Sequence, residues 1–182
     1  VDMGGQAEYT LEQYTAEELR IPLFSEYLEI CKKYGALPFI EVKGAPVEAI
    51  IEEAKQYFAE ENIIISSSNY AHMEEAREVS DKVFIHHIFS EESKIESLAA
   101  LGNSGMAFDY DGAALRDPVK YAEAKRLVDK AHAAGVKVCL RAGDDLGTVK
   151  KMSALGIDYI PTNTTTKANA TESTYQPVAG SG

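Results

Sequence analysis

The chain has 182 residues, 45% of them hydrophobic, enough for one domain with a real core but short of the roughly 250 residues of a single-chain eight-fold β/α barrel. Its net charge of −11, from 29 acidic against 18 basic residues, argues against nucleic acid and anionic membranes as partners, because neutralising phosphate takes clustered Lys and Arg. Acidity leaves room for a small phosphorylated molecule, which a few local cations or a metal ion can hold.

Residues 1–20 give a polar opening followed by Thr10 to Leu19, expected as a turn plus a short helix. No run approaches the length of a membrane span, and the opening Val1-Asp2-Met3-Gly4-Gly5-Gln6 has neither the basic region nor the apolar run of a signal peptide. A chain that starts without Met is expected to be a processed or excised product, and its compartment stays open.

Six short apolar runs follow, over Leu37–Val42, Asn62–Ser66, Lys82–His87, Gly105–Phe108, Val136–Leu140 and Ile157–Pro161. Each has the length of a buried strand. Ile63-Ile64-Ile65 and Val83-Phe84-Ile85 are continuous rather than alternating, the pattern of parallel sheets covered on both faces. Between the runs lie amphipathic helical patterns. Val47 to Ala59 carries Ile50, Ile51, Ala54 and Phe58 at helical spacing; Val119 to Ala134 carries Ala122, Leu127, Val128 and Ala131; Thr148 to Leu155 carries Val149, Met152 and Leu155. Gly35, Gly135 and Gly156 stand where helices would end before the next strand, as left-handed C-terminal residues do. Cys31 falls in a helical stretch and Cys139 in an apolar run. Without a CxxC pattern, both are expected as small core residues.

Strands recurring every 20–30 residues with helices between them make either an open doubly wound sheet or a closed barrel. No Gly-rich dinucleotide loop follows any strand. Polar residues cluster instead at the C-terminal ends of several strands: Glu41 and Lys43, Ser66-Ser67-Ser68-Asn69, His86-His87, Asp109-Tyr110-Asp111, Arg141 and Thr162-Asn163. In a barrel these ends meet at one mouth, where active sites lie. The expected fold is therefore α/β, a parallel (β/α) TIM-type barrel with about six of its eight βα units present. Its domain spans residues 1–163. The Thr-, Ala- and Gly-rich stretch 164–182 is expected as a flexible linker or tail.

Ile40-Glu41-Val42-Lys43-Gly44 is the sharpest chemical feature. Strand periodicity puts Glu41 and Lys43 on one face, opposite Ile40 and Val42. A carboxylate and an ammonium in a barrel mouth are either a structural pair or a metal ligand beside a phosphate-binding cation. His86 and His87 lie at a strand end, so one faces the mouth and the other the helix layer. The mouth-facing one could act as an acid or base, or be a hydrogen-bonded structural residue. Asp109 and Asp111 share a strand face and could join a metal site or cap the next turn. Arg141 could bind a phosphate oxygen or balance Asp109. His72 and His132 are expected on helix surfaces.

The run Ile21-Pro22-Leu23-Phe24-Ser25-Glu26-Tyr27-Leu28 followed by Leu37-Pro38-Phe39-Ile40-Glu41-Val42-Lys43 resembles the middle of the glycerophosphodiester phosphodiesterases, with their "IPxxxExL" helix start and "IEIK"-type strand. Ile64-Ile65-Ser66-Ser67-Ser68-Asn69 is similar to the family's "ISSFN" strand end. Ala134-Gly135-Val136-Lys137-Val138 and Leu155-Gly156-Ile157-Asp158-Tyr159-Ile160 resemble its last two βα junctions. The resemblance covers about Tyr9 to Thr165. It implies a (β/α)8 barrel that hydrolyses glycerophosphodiesters to an alcohol and glycerol 3-phosphate. It also implies a divalent metal, Ca²⁺ or Mg²⁺, held by three carboxylates, with two His as general base and acid. Carried over by position, Glu41 would be the last metal carboxylate, Lys43 would contact the phosphate, and Ser67 and Asn69 would line the mouth; Arg141 is the further substrate-binding candidate. The family's early "HRG", "PENT", "E-x-D" and "HD" motifs, which supply both His and the other carboxylates, do not occur in this sequence. Its "WTVN" strand is replaced by Leu140-Arg141-Ala142-Gly143 and its closing "TD" by Thr162-Asn163. The chain alone is therefore expected to be inactive, with a partner chain or a missing segment completing the barrel. The alternatives are a non-catalytic binding or structural module of this fold, as in a cell-surface or virion assembly, or another barrel enzyme acting on phosphosugars.

Overall fold

The alternation of apolar runs and amphipathic segments folds as successive β–α pairs. The computed structural model describes residues 15–16 and 19–163. In chain order it contains α1 (Phe24–Tyr34), β1 (Phe39–Glu41), α2 (Val47–Ala54), β2 (Ile64–Ser67), α3 (Ala71–Val79), β3 (Phe84–His87), α4 (Ile95–Leu101), β4 (Ser104–Ala107), α5 (Pro118–Ala133), β5 (Lys137–Cys139) and α6 (Leu146–Leu155). Short 3-10 turns occur at Glu60–Asn62, Glu92–Lys94 and Ala114–Arg116. The expected tail over 164–182 and most of the expected lead-in over 1–20 lie outside the described residues.

The strands form one parallel sheet in the order β1-β2-β3-β4-β5. Every strand pairs with the next one in sequence. A doubly wound sheet reverses its order at a switch point, where one neighbour is skipped; here the sheet curls on in one direction, as in a TIM-type barrel. The register lines Ile40 up with Ile65 and Ile65 with Ile85, and Met106 with Val138. These side chains are all at most 7% exposed and form the core with Leu28, Ile51, Met73, Leu98 and Val128 from the helices. This is the outer face of the sheet. Phe39, Glu41, Ile64, Ser66, Phe84, His86, Gly105, Ala107, Lys137 and Cys139 alternate with them and occupy the inner face, because successive side chains on a strand point to opposite sides.

Helix ends follow the residue chemistry. Gly35, Gly135 and Gly156 all have left-handed φ, of 68°, 80° and 82°. Asp117 accepts from the N–H groups of Val119 and Lys120 at the start of α5, with Pro118 in the first turn. Asp145 starts α6 in the same way, accepting from Thr148 N–H at 2.9 Å. The helix expected to reach Ala59 stops at Ala54. Tyr57 N–H and Phe58 N–H both donate to Ala54 C=O at 3.0 Å, a tightening of the last turn, and the chain leaves extended at Ala59.

Of the six expected strands, five form among the described residues. Ile157–Pro161 runs along β5 without joining the ladder. Asp158 N–H donates to Val138 C=O at 2.9 Å, but Val138 N–H donates to the Asp158 side chain at 2.7 Å, where a sheet partner would present a carbonyl. The same carboxylate lies 2.9 Å from His132 Nε2, so His132 is tied to this segment. Pro161 has no N–H to extend the pairing.

Among the described residues nothing covers the β1 end of the sheet. Ile21, Leu23, Ile30, Tyr34 and Leu37 are exposed, Ile30 by 57% and Tyr34 by 74%. A crossover helix in a parallel unit lies over the groove between the strand before it and the strand after it. For α1, only the strand after it, β1, is among the described residues.

Candidate functional site

The C-terminal ends of the strands carry the polar residues singled out above, but the fold sorts them onto different faces. Glu41 and Lys43 stand together at the end of β1, with Lys43 Nζ 3.5 Å from Glu41 Oε2. Their side chains are 45% and 76% exposed, so the pair is solvated rather than buried. Ser66, next to Glu41 in the register, is fully buried on the inner face. Ser67 points the other way. Its Oγ lies 2.9 Å from His72 Nδ1 on α3 and accepts from Asn69 N–H. Asn69 in turn accepts from Ala71 N–H at the start of α3. Ser67, Asn69 and His72 thus form one turn between β2 and α3, on the helix-layer side of the strand.

The two histidines at the end of β3 divide as strand alternation requires. His87 faces the helix layer, where Nδ1 lies 2.8 Å from Ser90 Oγ and the ring meets Tyr70 edge-on at 5.5 Å. His86 faces inward. Its Nδ1 is 2.5 Å from Tyr159 Oη and its Nε2 is 3.9 Å from Cys139 Sγ. Phe39 and Tyr159 pack edge-on against the imidazole at 5.3 and 5.4 Å. With the phenol donating to Nδ1, the imidazole proton sits on Nε2, towards the sulfur.

Burial sets the charge state of this cluster. It pushes His86 down to about 4, with His87 adding to the effect. It pushes the Cys139 thiol up to about 12. Tyr159 is raised first by burial, then by the neighbouring Cys139 and Asp158. All three groups are uncharged near neutral pH. His87 is likewise lowered by burial.

At the end of β4 the acids are committed to structure. Asp111 Oδ1 accepts from Ala114 N–H at 2.7 Å, and that bond holds its carboxyl below the ordinary range. Asp109 pairs with Arg141, Oδ1 to Nε at 2.9 Å. The Arg141 guanidinium stands 5.7 Å above the Phe89 ring. Phe89 holds a left-handed φ of 51°, sparsely populated for a residue with a bulky side chain. Thr162 and Asn163 both bond to Asp144.

These residues do not make a divalent-metal centre by themselves. No group of three His, Cys, Asp or Glu side chains among the described residues could hold an ion. Ca²⁺ and Mg²⁺ want six or more oxygen ligands, and Glu41 offers one carboxylate with an ammonium beside it. What the inner face does form is a cavity of about 550 Å³, lined by Phe39, Ser66, His86, Phe89, Ala107, Cys139, Arg141, Tyr159 and Ile160 among others. Ser66 belongs to the polar strand-end cluster read from sequence, whereas Phe39 and Tyr159 were not expected as site residues. Phe39 could have been found from the parity of Glu41 on its own strand, and the same parity carried across the register picks Ser66 out of its cluster. Tyr159 carries no such signal, since it reaches His86 from a segment outside the ladder.

No family model matches the chain, and no curated protein sequence matches it. Solved structures do. A protein from Silicibacter pomeroyi DSS-3, provisionally designated a glycerophosphoryl diester phosphodiesterase, superposes with a TM-score of 0.61 at 20% identity, over 79% of this chain and 53% of its own. A glycerophosphodiester phosphodiesterase from Agrobacterium tumefaciens C58 gives a TM-score of 0.58 at 14% identity, over 78% and 58%. An EAL domain protein from Listeria monocytogenes EGD-e gives 0.60 at 16% identity, over 76% and 63%. The chain thus spans between about half and two thirds of the length of these structures, and what it shares with them is the fold. No described helix is long and apolar enough to cross a membrane.

Proposed function

We propose that this chain is part of a metal-dependent phosphoric diester hydrolase of the glycerophosphodiester phosphodiesterase type. The observation that carries the reading is the Glu41–Lys43 pair at the C-terminal end of β1, on the inner face of a fold shared with a glycerophosphodiester phosphodiesterase and with a second structure provisionally so designated. A barrel enzyme places its chemistry at that end. In this reading Glu41 is one carboxylate of a Ca²⁺ or Mg²⁺ site whose other ligands come from outside the described residues, and Lys43 faces the substrate phosphate. The metal, when bound, would polarise the phosphodiester. In this reading His86 is not one of the acid–base pair, since its Nδ1 is engaged by Tyr159 and its Nε2 faces Cys139. His87 lies on the other face. The acid–base pair therefore also comes from outside the described residues.

The test is a hydrolysis assay with glycerophosphocholine, with and without Ca²⁺ or Mg²⁺. It compares the 182-residue chain with the natural gene product carrying whatever is encoded ahead of Val1. The longer product should turn over, and Glu41→Gln should lower its kcat/KM by about a hundredfold or more, as loss of a metal ligand does. The 182-residue chain should show no turnover. No metal-dependent turnover by either product, or an undiminished Glu41→Gln variant, would sink this assignment; turnover by the short chain would uphold it and put the other ligands within these 182 residues. A longer product that binds but never hydrolyses would point instead to a non-catalytic module.

A further inference from the structure

Two described residues other than glycine have a left-handed φ, Phe89 and Asn103. Asn takes that conformation readily, and Asn103 uses it locally, its Nδ2 donating to Lys82 C=O at 2.7 Å. Phe89 is the outlier. It is 56% exposed, so burial of its ring does not account for the backbone it adopts. The residues on either side are pinned. Ile88 N–H donates to Ser67 C=O at 2.9 Å and Ser90 N–H donates to Ala107 C=O at 2.8 Å. The chain is thus tied first to β2 and then to β4, and Phe89 makes the turn between them. Backbone strain of this kind persists only where its surroundings over-determine it, and it collects at functional sites.

What the turn achieves is to set an aromatic ring beneath Arg141, whose Cζ lies 5.7 Å from the ring centroid. Arg141 is then held from three directions. Its backbone N–H donates to Tyr110 C=O at 3.1 Å, its Nε lies 2.9 Å from Asp109 Oδ1, and the ring supports the guanidinium. Its terminal nitrogens have no partner among the described residues, and the side chain lines the inner-face cavity. The two roles that the sequence leaves open for Arg141 therefore fall on different edges of one group. Asp109 takes Nε, and the edge between the two terminal nitrogens is left for an oxyanion. Asp109 cancels part of the attraction for an anion, so what the fork offers is geometry rather than net charge. A fork already held still loses less freedom when it binds. We propose that Phe89 is a positioning residue, whose ring, with Asp109, holds Arg141 as a fork for a phosphate oxyanion at the mouth of the cavity. The identity of the anion rests on the phosphodiester reading above; the proposal adds a second phosphate-binding cation besides Lys43 and the residue that aims it.

The test is titration of the isotope-labelled 182-residue chain with inorganic phosphate and with glycerol 3-phosphate, followed by NMR. The Arg141 Nε–H signal, identified by its loss in Arg141→Lys, should shift saturably with either anion. Arg141→Lys keeps the charge and loses the fork, and should weaken glycerol 3-phosphate by about three- to tenfold, read at the backbone amides. Phe89→Leu keeps an apolar side chain without a ring face and should weaken it by about two- to fivefold, the worth of an exposed cation–π contact. Phe89→Tyr should bind as wild type does. Phe89→Gly separates positioning from a structural role. Glycine adopts a left-handed φ at no steric cost, so this variant should melt no lower than wild type and still weaken the anion as Phe89→Leu does. A merely structural ring would do the reverse, lowering the melting temperature and leaving the affinity unchanged. Should Phe89→Leu fail to fold, Phe89→Gly carries the comparison. Wild-type affinity in the Leu and Gly variants, or an Arg141 signal that neither anion moves, overturns the proposal, even where glycerophosphocholine is hydrolysed. Failure of the parent reading looks different: neither the short nor the longer product would hydrolyse glycerophosphocholine, while the Arg141 signal still responded to inorganic phosphate and that response still weakened in Phe89→Gly.

Discussion

The two ends of the inner face are built on one register and differ in what lies over them. Glu41, Ser66, His86 and Gly105 are successive neighbours across β1 to β4. At the β1 end, Phe39 is 44% exposed and Glu41 stands in solvent with Lys43. At the other end His86 is 3% exposed, closed in by Tyr159 and Cys139. Tyr159 comes from the segment after α6 and folds over β3 to β5; no described residue does the same for β1. The same layer of a sheet therefore holds a solvated ion pair at one end and a neutral imidazole at the other. The chemistry of an inner-face residue here follows from what covers it across the barrel more than from the strand that carries it.

Four measurements can break that contrast or sharpen it. The largest effect is expected at the covered end, in the central strand. Ile85→Ala removes a fully buried side chain of β3 and should destabilise by about 2–5 kcal/mol in urea unfolding, whereas Phe39→Ala at the open end should lose less than about half as much. Equal losses would mean that the β1 end is covered in solution.

The next effect is the pH dependence of stability. The folded value of His86, about 4, lies below the ordinary 6.5, so the unfolded chain takes up the proton first as pH falls. The stability tied to the neutral ring is fully present above about pH 6.5 and is lost as pH drops towards 4, by up to about 3 kcal/mol in total, with no further loss below. His87, lowered in the same direction, adds to the slope. Unfolding free energies of wild type and His86→Gln between pH 7.5 and 4 should therefore converge on the acid side. Parallel curves would show that the ring is solvated and the mouth open at both ends.

Gly105→Ala probes the packing beneath Tyr159. An added Cβ would sit 2.5 Å from Tyr159 Oη and 2.6 Å from Phe84 Cζ, so something must shift. A loss of about 1–3 kcal/mol is expected, together with a rise in the accessibility of Cys139 to thiol reagents. An unchanged melting temperature would show that Tyr159 is not held down on the sheet. The smallest effect belongs to Glu41→Gln, which should change stability by no more than about 0.5 kcal/mol, since the pair is exposed. A larger change would mean that Glu41 is buried by something outside the described residues.

Much of this was legible beforehand where the signal is local. Continuous apolar runs located β1 to β5, and Gly35, Gly135 and Gly156 marked helix ends where their left-handed backbone is found. Alternation put Glu41 and Lys43 on one face and split His86 from His87. Ile157–Pro161 has the composition of a strand, yet Asp158 uses its side chain, not its backbone, to meet Val138. Composition does not report that choice. The same alternation sets Ser67 opposite Ser66, towards the helix layer, where it meets His72; Asn69 accepts from Ala71 N–H in the turn that follows.

What the amino-acid order determined by itself was the alternation of parallel strands and helices, the parity of each side chain on its strand, and so the set of residues available to the inner face. Hydrophobic periodicity and strand alternation act over a few residues and need no partner. Tertiary structure alone decided which of those residues are dry, which are paired and which are open. His86 stays neutral and Glu41 stays solvated through contacts made, or not made among the described residues, across many residues of chain, and the free energy of a polar group depends on whether water or protein stands against it.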